Sequence, residues 1–153
     1  MQGREFISVA STWCVLTSST EPSWRSSISR AYYGAMHHCR EFLSQDLKLN
    51  VPGGPTQHEL IPRALSFSKA GLLIEASDKL IDLRNWRRRA DYELHNDKAG
   101  KQALAKQAIE QAKSIESAIN TLKTSQTLNS IQKSISEKFS LTLPGWSIKQ
   151  KLT

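Results

Sequence analysis

The densest collection of chemically capable side chains is Leu83-Arg84-Asn85-Trp86-Arg87-Arg88-Arg89-Ala90-Asp91-Tyr92-Glu93-Leu94-His95. A guanidinium can grip phosphate through two parallel hydrogen bonds, and an imidazole changes charge near neutral pH. Together they offer what RNA cleavage requires: a base for the 2′-hydroxyl proton, and cations for the charge added at the attacked phosphate. In a helix, at roughly 100° per residue, Arg84, Arg88, Asp91 and His95 share one narrow strip, with Arg87 and Tyr92 bordering it on different sides. His95 then serves as base or acid while Arg84 or Arg88 stabilises the transition state, and neither a metal nor another cofactor is needed. The same residues allow a plainer arrangement. Asp91 and Glu93 can pair with the arginines and form a solvated or interface face.

Other polar groups offer less. His37 and His38 are adjacent, so about 100° of helix rotation lets at most one face inward. Tyr32 and Tyr33 divide between core packing and a polar phenol contact, and Arg30 is placed to meet a carboxylate across helices, with Asp91 as the candidate. Cys14 and Cys39 sit in apolar helical patterns without paired metal-ligand spacing, which reads as two buried free thiols. The four histidines, at 37, 38, 58 and 95, are scattered and make no zinc pattern.

The elements that must carry these groups are helical. Strand-like alternation is short everywhere, and no glycine-rich phosphate loop follows a strand. A first helix is expected from Glu5 to about Thr17, then a Ser/Thr break. Thr20 or Ser19 can cap a second helix running from Glu21 to Leu47, with Pro22 in its first turn, where a missing N–H costs nothing. Its stripe of Ile28, Tyr32, Ala35, Cys39 and Phe42 is broad enough for a central helix. After the loop Val51-Pro52-Gly53-Gly54-Pro55, Thr56 and Glu59 form a capping-box pattern for a short helix through Ser68. A fourth helix is expected from Leu72 to Glu93 or His95. Asn96-Asp97 can then cap a fifth, whose alanine-rich stripe from Leu104 to Leu122 would let another helix approach closely. A looser stripe of Leu128, Ile131, Ile135, Phe139 and Leu141 predicts one more helix, followed by a tail whose Trp146 docks on the body.

The chain has 153 residues, 39 % of them hydrophobic, which suits one globular core rather than two. Its expected organisation is a helical bundle over residues 1–125, with a C-terminal helix and basic tail over 126–153 packed on the same domain. No stretch reaches the roughly 18 to 20 apolar residues that cross a bilayer, and the region Ile7–Leu16 makes a poor secretion signal. A cytoplasmic protein without membrane attachment is therefore expected. The formal net charge of +7 favours polyanionic partners such as RNA, through phosphate neutralisation and counterion release.

Two segments carry a family resemblance. Arg25-Ser26-Ser27-Ile28-Ser29-Arg30-Ala31-Tyr32-Tyr33-Gly34-Ala35-Met36-His37 resembles the RSAISRAYYAAFH helix of HEPN-domain proteins. Arg87-Arg88-Arg89-Ala90-Asp91-Tyr92-Glu93-Leu94 resembles the R-x-x-ADYEL segment of the same branch, and Thr56-Gln57-His58-Glu59 falls between them where relatives carry a histidine-containing segment. The resemblance spans roughly residues 1–125. It implies an all-α, up-and-down bundle with four or five core helices plus the C-terminal helix, often a homodimer. Many such proteins are metal-independent endoribonucleases of toxin–antitoxin, abortive-infection or antiviral defence systems. Others are non-catalytic modules that bind RNA or a protein partner, such as a cognate antitoxin or a nucleotidyltransferase. Active members carry Arg, four to six intervening residues, then His; five residues lie between Arg89 and His95, and six between Arg88 and His95. The polar residue that usually follows the Arg is absent after Arg89 and is a second Arg after Arg88. On this reading Arg88 and His95 carry the reaction and Arg84, Arg87 and Arg89 hold phosphate. Arg30, Tyr32, Asp91 and Tyr92 support them.

Overall fold

A computed structural model describes residues 3–16 and 20–142, with side chains through Phe139. All regular structure among them is helical: α1 Gly3–Val15, α2 Glu21–Glu41, α3 Gln57–Ser66, α4 Gly71–Tyr92, α5 Gln102–Lys123 and α6 Leu128–Thr142. The fold class is all-α. None of the described helices is long and apolar enough to cross a membrane. The expected docking of Trp146 and the basic tail lie outside the described residues.

The chain divides into two compact units, Met1–His38 with Lys79–Glu116, and Cys39–Asp78 with Ser117–Thr153. In the first, Ile7, Ala10 and Cys14 of α1, Ile28, Ala31 and Tyr32 of α2, and Leu80 and Leu83 of α4 are buried. Each large apolar side chain removed from water in this way contributes about 1.5–3 kcal/mol. Ala105, Ala108 and Ala112 give α5 a fully buried small-residue stripe, as its periodicity predicts. α1 and α2 meet closely at Gly34, where a Cβ would come within 2.6 Å of the Ile7 side chain and 2.8 Å of the Gly3 carbonyl oxygen. Alanine would push the two helices apart there.

In the second unit, Phe42, Leu43, Ile61, Leu65, Leu73, Ile131, Ile135 and Phe139 are buried. α3 contacts α6, and Phe67 meets Phe139 edge to face at 5.6 Å. The Ser77 hydroxyl donates to the Pro62 carbonyl at 2.9 Å, and Lys123 pairs with Asp46 at 3.0 Å.

Several boundaries differ from the sequence expectation. The end of the long second helix is a π-helical turn, Phe42–Asp46, closed by Leu47 N–H donating to the Phe42 carbonyl. Thr56 precedes α3 in a helical backbone conformation and makes no side-chain cap, so the capping box does not form: the helical φ and ψ keep its hydroxyl from the position a cap requires. α4 stops at Tyr92, and α5 begins only at Gln102. Asn96 holds a separate turn instead, its Oδ1 accepting from Ala99 N–H at 3.3 Å.

Candidate nucleic-acid interface

What stops α4 is an arginine from α2. The last carbonyls of a helix lack intrahelical donors, and the helix dipole makes that end favourable for a cation. Arg25, only 7 % exposed, fills that need. Its Nη1 donates to the carbonyls of Arg89, Ala90 and Glu93 at 3.3, 3.1 and 3.2 Å. Its Nη2 donates to those of Leu94 and Asn96 at 3.1 and 3.0 Å, and Nε to Glu21 Oε1 at 2.7 Å. A fork of five N–H groups can serve so many acceptors; a lysine ammonium cannot. Gly100 makes room for Glu21, since a Cβ there would lie 2.5 Å from its Oε1.

One turn back along α4, Arg87 turns inward. Its Nη2 donates to the phenol oxygens of Tyr33 at 2.9 Å and Tyr92 at 3.3 Å, and its guanidinium lies over both rings at 5.3 and 5.1 Å. Its Nε is 2.7 Å from Asp91 Oδ2, a close ion pair whose N–H is not aligned for a hydrogen bond. Burial lowers the Arg87 pKa, but Tyr33, Tyr92 and Asp91 outweigh it, and the net shift is upward. The cation is therefore permanent. Asp91 Oδ2 also accepts from the Ser29 hydroxyl at 3.2 Å.

Arg30 does not meet Asp91 as expected. It lies 5.6 Å from each of the Phe6 and Trp13 ring centroids, two side chains seven residues apart and so on one face of α1. Arg87 and Ser29 hold Asp91 through its Oδ2, and two aromatic faces lie against the Arg30 guanidinium instead. Among the described residues Arg30 donates no hydrogen bond and makes no ion pair. Trp13, Ser26, Ser29, Arg30, Tyr33 and Asp91 line a cleft of about 380 Å³. Tyr32 is buried, with its hydroxyl 3.6 Å from the Met36 sulfur.

The remaining arginines divide. Arg84 is half-buried and engaged. Arg88 and Arg89 are exposed, and neither side chain has a hydrogen bond or ion pair among the described residues. His95 is exposed in the turn three residues past the helix, off the strip that a longer α4 would have drawn through Arg84, Arg88 and Asp91. No described contact joins it to Arg88. His37 instead stacks beside Tyr33 and Phe6, at 6.5 and 5.6 Å.

Cys14 and Cys39 are buried free thiols; burial raises both, Cys39 to about 12. Among the described residues no group of His, Cys, Asp and Glu is arranged to hold a metal ion.

The groups missed in the sequence are Arg25 and the aromatic pair that holds Arg30. The spacing from Glu21 hints only at a local pair, because the five carbonyls that Arg25 serves are 64 to 71 residues away. The seven-residue spacing of Phe6 and Trp13 was visible. Comparison with known proteins finds no matching family model, no matching curated protein and no matching solved structure.

Proposed function

We propose that the chain is a HEPN-like RNA-binding module whose contact is the basic end of α4. The observation that carries this reading is the division of three consecutive arginines: Arg87 is spent on the protein, whereas Arg88 and Arg89 stand exposed with their donors unspent among the described residues. Guanidinium groups in that state neutralise phosphates at little desolvation cost. Arg25 adds to the effect. A bare helix C-terminus carries partial negative charge that disfavours a polyanion, and the buried guanidinium offsets it. The overall charge of +7 acts in the same direction.

A second reading, a metal-independent endoribonuclease of a toxin–antitoxin or defence system in the cytoplasm, is favoured by one observation. Arg88 and His95 are both open to a ligand. That mechanism needs a phosphodiester brought between them, with a second copy of the chain in a homodimer as the natural source of a complementary arginine. His95 would take the 2′-hydroxyl proton and the arginines would stabilise the pentacoordinate phosphate.

The test is fluorescence anisotropy with a labelled single-stranded RNA across a salt series. The Arg88→Ala/Arg89→Ala pair should weaken binding by about tenfold or more and flatten the salt slope by roughly 1 to 2. Unchanged affinity and slope would remove the assignment. The same RNA incubated without divalent metal distinguishes the second reading: cleavage abolished by Arg88→Ala and by His95→Ala makes the module a nuclease.

A further inference from the structure

The cleft on the first unit holds an uncommon combination. Its cation, Arg30, lies over the rings of Phe6 and Trp13 yet donates no hydrogen bond among the described residues. Its anion, Asp91, spends only Oδ2, on Arg87 and Ser29, and Oδ1 accepts no hydrogen bond among the described residues. Ser26 adds a hydroxyl and Trp13 a partly open indole. A ligand that satisfies both ends carries an anion and, a short distance away, a hydroxyl donor. An acidic peptide supplies the first but meets Asp91 with like charge. A ribonucleotide supplies both, as a phosphate and a ribose 2′-hydroxyl, and about 380 Å³ lies near the small end of ligand-cleft volumes, the scale of one nucleotide rather than a run.

We propose that this cleft is a ribonucleotide subsite in which Arg30 grips a phosphate and Asp91 accepts the 2′-hydroxyl hydrogen, selecting RNA over DNA. The inference rests on the RNA-binding reading above and adds to it what the exposed arginines of α4 lack. Phosphate contacts alone carry no preference between the two nucleic acids, whereas the 2′-hydroxyl is the group that separates them. The Arg87 ion pair holds Asp91 in place, so the acceptor is positioned before the ligand arrives.

The experiment uses the full chain and three labelled probes: an oligouridine decamer, the matching oligodeoxyuridine, and an oligoglutamate decamer. Wild-type protein should bind the RNA roughly tenfold more tightly than the DNA, the scale of one hydrogen bond to a charged group. Asp91→Asn should bring that ratio towards one. Arg30→Gln should weaken both nucleic acids about equally and lower the salt slope by roughly one phosphate's share. Because Asp91→Asn also loosens Arg87, a 2′-O-methyl oligouridine on the unaltered protein reads the same contact without a mutation, and should bind as the DNA does.

Equal affinity for RNA and DNA overturns the subsite, as does an Arg30→Gln protein with wild-type affinity and slope, or an oligoglutamate that binds as tightly as RNA. RNA binding that depends on Arg88 and Arg89 but not on Arg30 sinks the subsite alone. A wild-type protein that binds no RNA sinks both readings.

Discussion

Arg25 and Arg30 stand five residues apart on α2 and share a residue type, yet they live in opposite states. Arg25 is buried, and its guanidinium serves five backbone carbonyls and one carboxylate. Arg30 is exposed, lies against two ring faces, and donates no hydrogen bond among the described residues. The difference shows what fixes an arginine's role. A guanidinium whose donors are consumed belongs to the architecture, while one that is positioned but unsatisfied retains the capacity to bind. Arg87 and Arg88 repeat the contrast on adjacent positions of α4.

Substitutions can break that contrast from either side. Arg25→Met should have the largest effect, destabilising the fold by about 3–5 kcal/mol, because it strands buried carbonyls and leaves Glu21 without its partner. Urea denaturation measures this, and a loss below about 1 kcal/mol would mean that water replaces the cap. Gly100→Ala comes next. The added methyl must displace the Glu21 carboxylate, the flexible end of a half-exposed side chain, at a cost of about 1 kcal/mol. Pairing it with Glu21→Gln in a double-mutant cycle should give clearly less than the sum, since both act on the same contact. Arg30→Met should be the mildest, below about 1 kcal/mol, because only two cation–π contacts are lost. A stability loss matching that of Arg25→Met would show that Arg30 is architectural after all.

How much of this was readable beforehand depends on how local the cause is. The helices were legible because apolar periodicity is written within each segment, as in the buried Ala105, Ala108, Ile109 and Ala112 of α5. Pro22 marked the first turn of α2 for the same reason. The π turn at Phe42–Asp46 was invisible, since one wider turn hardly disturbs an apolar stripe that still buries Phe42 and Leu43. The arginine crowding on α4 was visible, but periodicity could not tell which guanidinium would turn inward. That choice came from Tyr33 on another helix, 54 residues away. The end of α4 was misplaced on similar grounds. Helical spacing carried the strip on to His95, whereas Arg25 gathers the carbonyls that a longer helix would have kept for itself.

A helix end completed by a residue 64 to 71 positions away cannot mature on its own. Until the start of α2 arrives, the last turn of α4 has no tertiary donor and frays as an isolated segment would. Residues 93–96 should therefore be among the late-ordering parts of the chain during folding, and should loosen together when α2 withdraws. Whatever the surface near His95 recognises, its geometry is held from behind by the guanidinium of Arg25.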